Sequence, residues 1–121
     1  VVKALLDTNI LIDYLNGVPA AQAEFARYDG PAISIITWAE VMVGAPEVSA
    51  PATERFLSGM DVVPLDDAVA RRAVALRRLH RMKLPDAIIW ASALARHMLL
   101  VTRNVKDFPA NDPGVRMPYR L

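Results

Sequence analysis

Short apolar runs alternate with segments of helical spacing along the whole chain. VVKALL, at Val1 to Leu6, is an apolar run of strand length. DTN follows, and ILIDYLNG then has helical spacing and stops at Gly17. PAAQAEFARYDG predicts a helix from Pro19 to about Tyr28, and AISII, rich in β-branched residues, predicts a second strand. TWAEVMVGA and APATERFLSG predict two further helices. DVVPL is a third strand, cut short by Pro64 and so placed near a sheet edge. Asp66 caps a long helix, DAVARRAVALRRLHRMK, and LPDAIIWASALARH opens another with Pro85 in its first turn. MLLVT is a fourth strand, RNVKDF a loop or short turn, and VRMPY a weaker last strand.

Strands alternating with helices predict an α/β fold with a mostly parallel sheet covered on both faces. In such sheets ligands bind beyond the carboxyl ends of the strands, and that is where chemistry is to be sought. The length of 121 residues fits one domain, residues 1–121, able to bury a core without staples. A hydrophobic content of 54% argues against disorder. There is no cysteine, which excludes disulfides and thiolate-held zinc or iron–sulfur sites. The N-terminal residues lack the parts of a signal peptide, and no apolar run reaches the ~18 residues of a membrane span, so a cytoplasmic location is expected. The chain begins at Val1 without methionine, which leaves its natural first residue open. A net charge of +1 neither requires nor excludes a nucleic-acid partner.

Three acids stand in apolar windows. Asp7 is the only charge between Lys3 and Asp13, Glu40 the only one between Asp29 and Glu47, and Asp86 the only one between Lys83 and Arg96. Each has an ordinary explanation: a helix cap for Asp7, a helix-dipole partner for Asp86, a solvent-facing side chain for Glu40. Asp7 and Glu40, however, both fall near strand carboxyl ends, and Thr37 shares the helix face of Glu40. Converging carboxylates would repel and raise each other's pKa, a cost that a divalent cation removes. Magnesium and manganese prefer such oxygen ligands, and metals so held commonly act on phosphates.

With LLDTNILIDYL, SIITWAE, LPDAIIWASAL and LVTRNVKDF in that order, the chain from Val2 to about Phe108 resembles the PIN-domain nucleases, and most closely the VapC-like toxins of toxin–antitoxin pairs. The resemblance implies a three-layer α/β/α sandwich and a Mg2+- or Mn2+-dependent endoribonuclease. By the same resemblance Asp7, Glu40 and Asp86 match the family's acidic positions, catalytic and metal-holding. Asn9 matches the polar residue beside the first acid, and Thr102 the hydroxyl residue after the fourth strand. Many relatives carry an acid two residues beyond that threonine. Here the position is Asn104, and Asp107 stands three residues later, so Asn104 offers a neutral oxygen and Asp107 the charge. One firmly bound ion is the expectation, a second needing the RNA phosphate. A homodimer and a VapB-like antitoxin partner are implied as well, with the helices of AAQAEFARY and ATERFLSGM in the shared region.

Arg71, Arg72, Arg77, Arg78, His80, Arg81 and Lys83 crowd one helix and its end. They wrap much of it, which fits a solvated face better than a phosphate-tracking stripe. Arg103 and Lys106, flanking Asn104, are better placed to hold RNA phosphates. His80 and His97 lack a serine nucleophile motif and read as non-catalytic; Trp38 and Trp90 read as core or interface. A non-cleaving PIN-like binding module is the alternative. A phosphoryl-receiver domain would want paired acids after the first strand and a lysine after the last; Asp7 is followed by Thr8, and no lysine follows Lys106.

Overall fold

A computed structural model describes residues 2–109 and 111–121. The first strand, β1 (Ala4–Leu6), is followed by α1 (Thr8–Leu15) and α2 (Pro19–Ala26). Then come β2 (Ala32–Ser34), α3 (Ile35–Gly44), α4 (Ala50–Ser58) and β3 (Asp61–Val63). The chain closes with α5 (Asp67–His80), α6 (Leu84–Ala95), β4 (Leu99–Val101) and β5 (Val115–Arg116). All four strand pairings are parallel, in the order β3-β2-β1-β4-β5. The strand expected over Val1 to Leu6 lies outside the described residues at Val1 and begins at Ala4.

Side chains alternate across the sheet with the period of two that a strand imposes. Leu5, Ala32, Val63, Leu100 and Val115 face one core, closed by α5 and α6 through Val69, Ala73, Ile89 and Trp90. Ala4, Leu6, Ile33 and Val101 face the other, closed by Ile10 and Leu11 of α1, Val41 of α3 and Leu57 of α4. These two cores make the three-layer α/β/α sandwich. β3 is an edge strand, as Pro64 requires.

Several boundaries move from their sequence positions, each for a local reason. α1 starts at Thr8, not Ile10, because the Asp7 carboxylate accepts from the Thr8 N–H and caps it. The run AISII divides at Ser34, whose hydroxyl oxygen accepts from the Ile36 N–H at 3.0 Å and starts α3 two residues early. α5 ends at His80, short of Lys83, because Arg81 turns left-handed with φ 54°. β5 keeps only Val115–Arg116 of VRMPY. Among the described residues no helix is long and apolar enough to cross a membrane.

The topology locates the crevice. From β1 the chain moves outward to β2 and β3, then returns to lay β4 on the opposite side of β1. Beyond the carboxyl ends of β1 and β4 the sheet order reverses, which is where open parallel sheets place their ligands. Leu6 pairs with Val101, so the next residues, Asp7 and Thr102, meet at that point.

Candidate active site

Asp7 sits in the crevice and is 4% exposed. Its backbone N–H donates to Val101 O at 2.9 Å, tying it to β4. Its Oδ1 accepts from the Thr8 N–H at 2.7 Å; its Oδ2 accepts from the Thr102 hydroxyl at 2.7 Å and from Asn9 Nδ2 at 3.1 Å. Burial pushes the Asp7 carboxyl up to about 6; the bonds from Thr102 and Thr8 oppose the shift, and the charges of Asp86 and Glu40 add to it.

Glu40 stands at the rim, not in the crevice floor. Its apolar window left both a crevice and a solvent-facing place open, and α3 turns it outward so that it is exposed. Hydroxyls link it to the start of α1: Thr37 Oγ1 lies 2.9 Å from Thr8 Oγ1, and Thr8 Oγ1 donates to Glu40 Oε1 at 2.7 Å. The sequence reading passed over Thr8. Its signal was its place beside Asp7, since the first helical residue after a strand end faces the crevice.

Asp86 is half-buried in the first turn of α6. Burial raises its pKa, as do the charges of Asp107 and Glu40, while Lys83 opposes them. Asp107 is held by its neighbour: Asn104 Nδ2 donates to Asp107 Oδ2 at 2.7 Å, and the Asp107 N–H returns to Asn104 Oδ1 at 3.4 Å. Asn104 thus spends its amide on the charge of Asp107, and its own N–H donates to Thr102 Oγ1 at 2.9 Å. Asp7, Glu40, Asp86 and Asp107 therefore share one electrostatic field from four separate segments. None of them is in a salt bridge among the described residues.

All four are hard oxygen donors, the set that Mg2+ and Mn2+ select. The buried, raised carboxyl of Asp7 is the group a cation would relieve most. Among the described residues, however, no three acid or histidine side chains stand close enough to close around an ion. The donor chemistry fits a divalent cation, and the ligand set is open.

Arg103 departs from its sequence reading. Its guanidinium does not stand free for phosphates: Nε and Nη2 donate to Asp13 Oδ2 and Oδ1 at 2.6 and 3.2 Å. Tyr119 donates to Asp13 Oδ2 at 2.8 Å. Burial raises the Asp13 carboxyl, but the bonds from Arg103 and Tyr119 reverse the sign and hold it below the usual range. Asp13 was missed in the sequence, although a lone acid in the apolar helix ILIDYL was the available signal. Lys83 and Lys106 are exposed. His80 packs on Trp90 with ring centroids 5.1 Å apart, and Trp90 lies in the core.

The model of the PIN domain family matches residues 4–112. Ribonuclease VapC10 of Mycobacterium tuberculosis is 38% identical over 113 residues, covering 87% of this chain and 85% of that protein. Ribonuclease VapC19 of the same organism is 31% identical over 124 residues, covering 95% and 98%. In structure, the chain superposes on a toxin–antitoxin complex from Klebsiella pneumoniae with a TM-score of 0.93 and 45% identity, covering 98% of this chain and 100% of that one. A DNA-bound VapBC from Salmonella typhimurium gives 0.77 and 26%, covering 96% of each. Four acids at the switch point of a parallel three-layer sandwich, and sequence kinship along nearly its whole length, lead to one assignment: this chain belongs to the PIN-domain family and is VapC-like.

Proposed function

We propose that the protein is a divalent-metal-dependent endoribonuclease that acts as the toxin of a toxin–antitoxin pair. The observation that carries this reading is Asp7: a buried carboxylate without a cationic partner, pushed up to about 6 in the field of Glu40 and Asp86. Asp7, Glu40, Asp86 and Asp107 are the residues that would hold Mg2+ or Mn2+. When bound, such an ion lowers the pKa of water and stabilises charge on phosphate oxygens. The protein's own part is orientation. Thr102 and Asn9 fix the second oxygen of Asp7, Thr8 fixes Glu40, and Asn104 fixes Asp107. Lys83, whose charge reaches Asp86, and Lys106 beside Asp107 stand where RNA phosphates would approach the acids.

The relatives named as ribonucleases support the activity, and the neighbours solved as toxin–antitoxin complexes support an antitoxin partner. An apolar cleft of about 560 Å3, lined by Ile12, Leu15, Val41, Pro46 and Thr53, opens between α1, α3 and α4 and offers such a partner a seat. The open ligand set favours one second reading, a PIN-like module that binds RNA without cutting it. Cleavage decides between them. Wild-type protein cuts RNA with Mg2+ or Mn2+, and Asp7→Asn falls to the level of RNA without protein. Equal cutting by the two proteins removes the site from the reaction, and no cutting by the wild type leaves the binding module.

A further inference from the structure

Two acid–arginine–tyrosine trios, each centred on a buried acid, tie α1 and α2 to the β4–β5 side of the sheet. Glu24 of α2 accepts from Arg116 of β5 at 2.8 and 3.0 Å and from Tyr28 at 2.6 Å. Asp13 of α1 accepts from Arg103, just past β4, and from Tyr119. Both acids are nearly sealed from solvent, at 4% and 6% exposure. They differ in what lies behind the arginine. Behind Arg116 stands the β4–β5 ladder, where its carbonyl accepts from the Thr102 N–H at 3.0 Å, and among the described residues no side chain of the Glu24 trio bonds to Asp7, Asn9, Thr102 or Asn104. The Asp13 trio leads straight to them. The Arg103 N–H donates to Asn9 Oδ1 at 3.2 Å, and Asn9 Nδ2 donates in turn to Asp7 Oδ2. On one side of Arg103, Thr102 bonds Asp7; on the other, Asn104 bonds Asp107.

We propose that Asp13 is a positioning residue: by clamping the Arg103 side chain it fixes the segment from Thr102 to Asp107 against α1, and so sets how Asp7 and Asp107 face a cation. That segment has no regular structure of its own, since β4 ends at Val101. An irregular connection keeps many backbone states unless side chains select one. A bidentate, largely buried Arg–carboxylate pair does so with defined geometry. The clamp also explains why Arg103 is withheld from phosphates. This inference rests on the metal-dependent reading of the acids.

The test measures Mn2+ affinity without RNA, by calorimetry or by the spin-resonance signal of free Mn2+, beside the melting temperature without metal. Outer groups that orient metal ligands typically change affinity about 10- to 100-fold. Asp13→Asn is expected to weaken Mn2+ binding by that range, and Tyr119→Phe by a smaller factor. Glu24→Gln, the matched control, lowers the melting temperature and leaves Mn2+ affinity at the wild-type value. A folded Asp13→Asn with wild-type affinity overturns the proposal, as does an equal loss in Glu24→Gln. If Asp13→Asn does not fold, unchanged affinity in Tyr119→Phe has the same force. Wild-type protein that binds Mn2+ no better than Asp7→Asn overturns the metal reading itself, and the clamp with it. Binding through Asp7 that is indifferent to Asp13 overturns the clamp alone.

Discussion

Asp7 does two jobs with one side chain, and its protonation shows the cost. One oxygen caps α1 and the other is held by Thr102 and Asn9 inside the crevice. Its pKa rises on folding from 3.8 to about 6. A group raised in this way favours the fold while protonated. That contribution is fully present below about pH 4 and is lost as pH climbs through 6. At pH 7 the ionised side chain, without metal, costs the fold on the order of 3 kcal/mol. Asp7→Asn removes the charge but disturbs a hydrogen bond worth about 1 kcal/mol. Metal-free Asp7→Asn should therefore melt higher than wild type at pH 7.5, and no higher at pH 4; thermal denaturation at both values checks the sign. Asp13 and Glu24 run the other way, both held below the usual range, so their stabilisation is present above it and lost as acid protonates them. At this scale the sequence was informative where a residue stood alone. Asp7 and Asp86 were visible as single charges in apolar windows. Asp13 and Thr8 carried signals too, but their roles were not legible, because these depend on Arg103 and Glu40, distant in sequence.

Periodicity located every strand and helix, because each buries a face with its own period. It misplaced ends, because ends are decided by single atoms: Ser34 Oγ starts α3, and the left-handed turn at Arg81 stops α5. The early stop of α5 matters for RNA. The α5–α6 connection is short, so Lys83 lies next to the turn that carries Asp86, while Arg71 lies three turns back and pairs with Asp67. Cations at the crevice should contact phosphates, and those far along α5 should meet only water. In an Asp7→Asn background, expected not to cleave, changing Lys83 and Lys106 to Gln should weaken single-stranded RNA binding. The log–log salt slope should flatten by up to about 1.4, at ~0.7 for each phosphate no longer neutralised. Changing Arg71 and Arg72 to Gln should leave both unaltered. An equal effect from the two pairs, measured by fluorescence anisotropy across a salt series, would instead spread RNA along the whole helix.

For the whole molecule, the alternation of strands and helices made the layered parallel sheet legible, and the edge position of β3 followed from Pro64. The strand order did not follow, since pattern alone does not say on which side of β1 the returning chain lands. That choice makes the crevice. The same arrangement sets α1 and α3 side by side around the apolar cleft, with Ile12 and Leu15 each 40% exposed. A charge placed there would oppose burial of a partner's apolar segment without touching the acids. Ile12→Lys should lose co-purification with a co-expressed VapB-like antitoxin and keep RNA cleavage. Retained co-purification would move the partner to another face.

The bond from Thr102 to Asp7 spans 95 residues of sequence. During synthesis, β1 is made long before β4, the partner it pairs with. Domains fold as their chains are completed, and contacts between distant segments form only after the intervening loop closes. The pairing that assembles Asp7 with Thr102 therefore cannot form on a ribosome until β4 has left it.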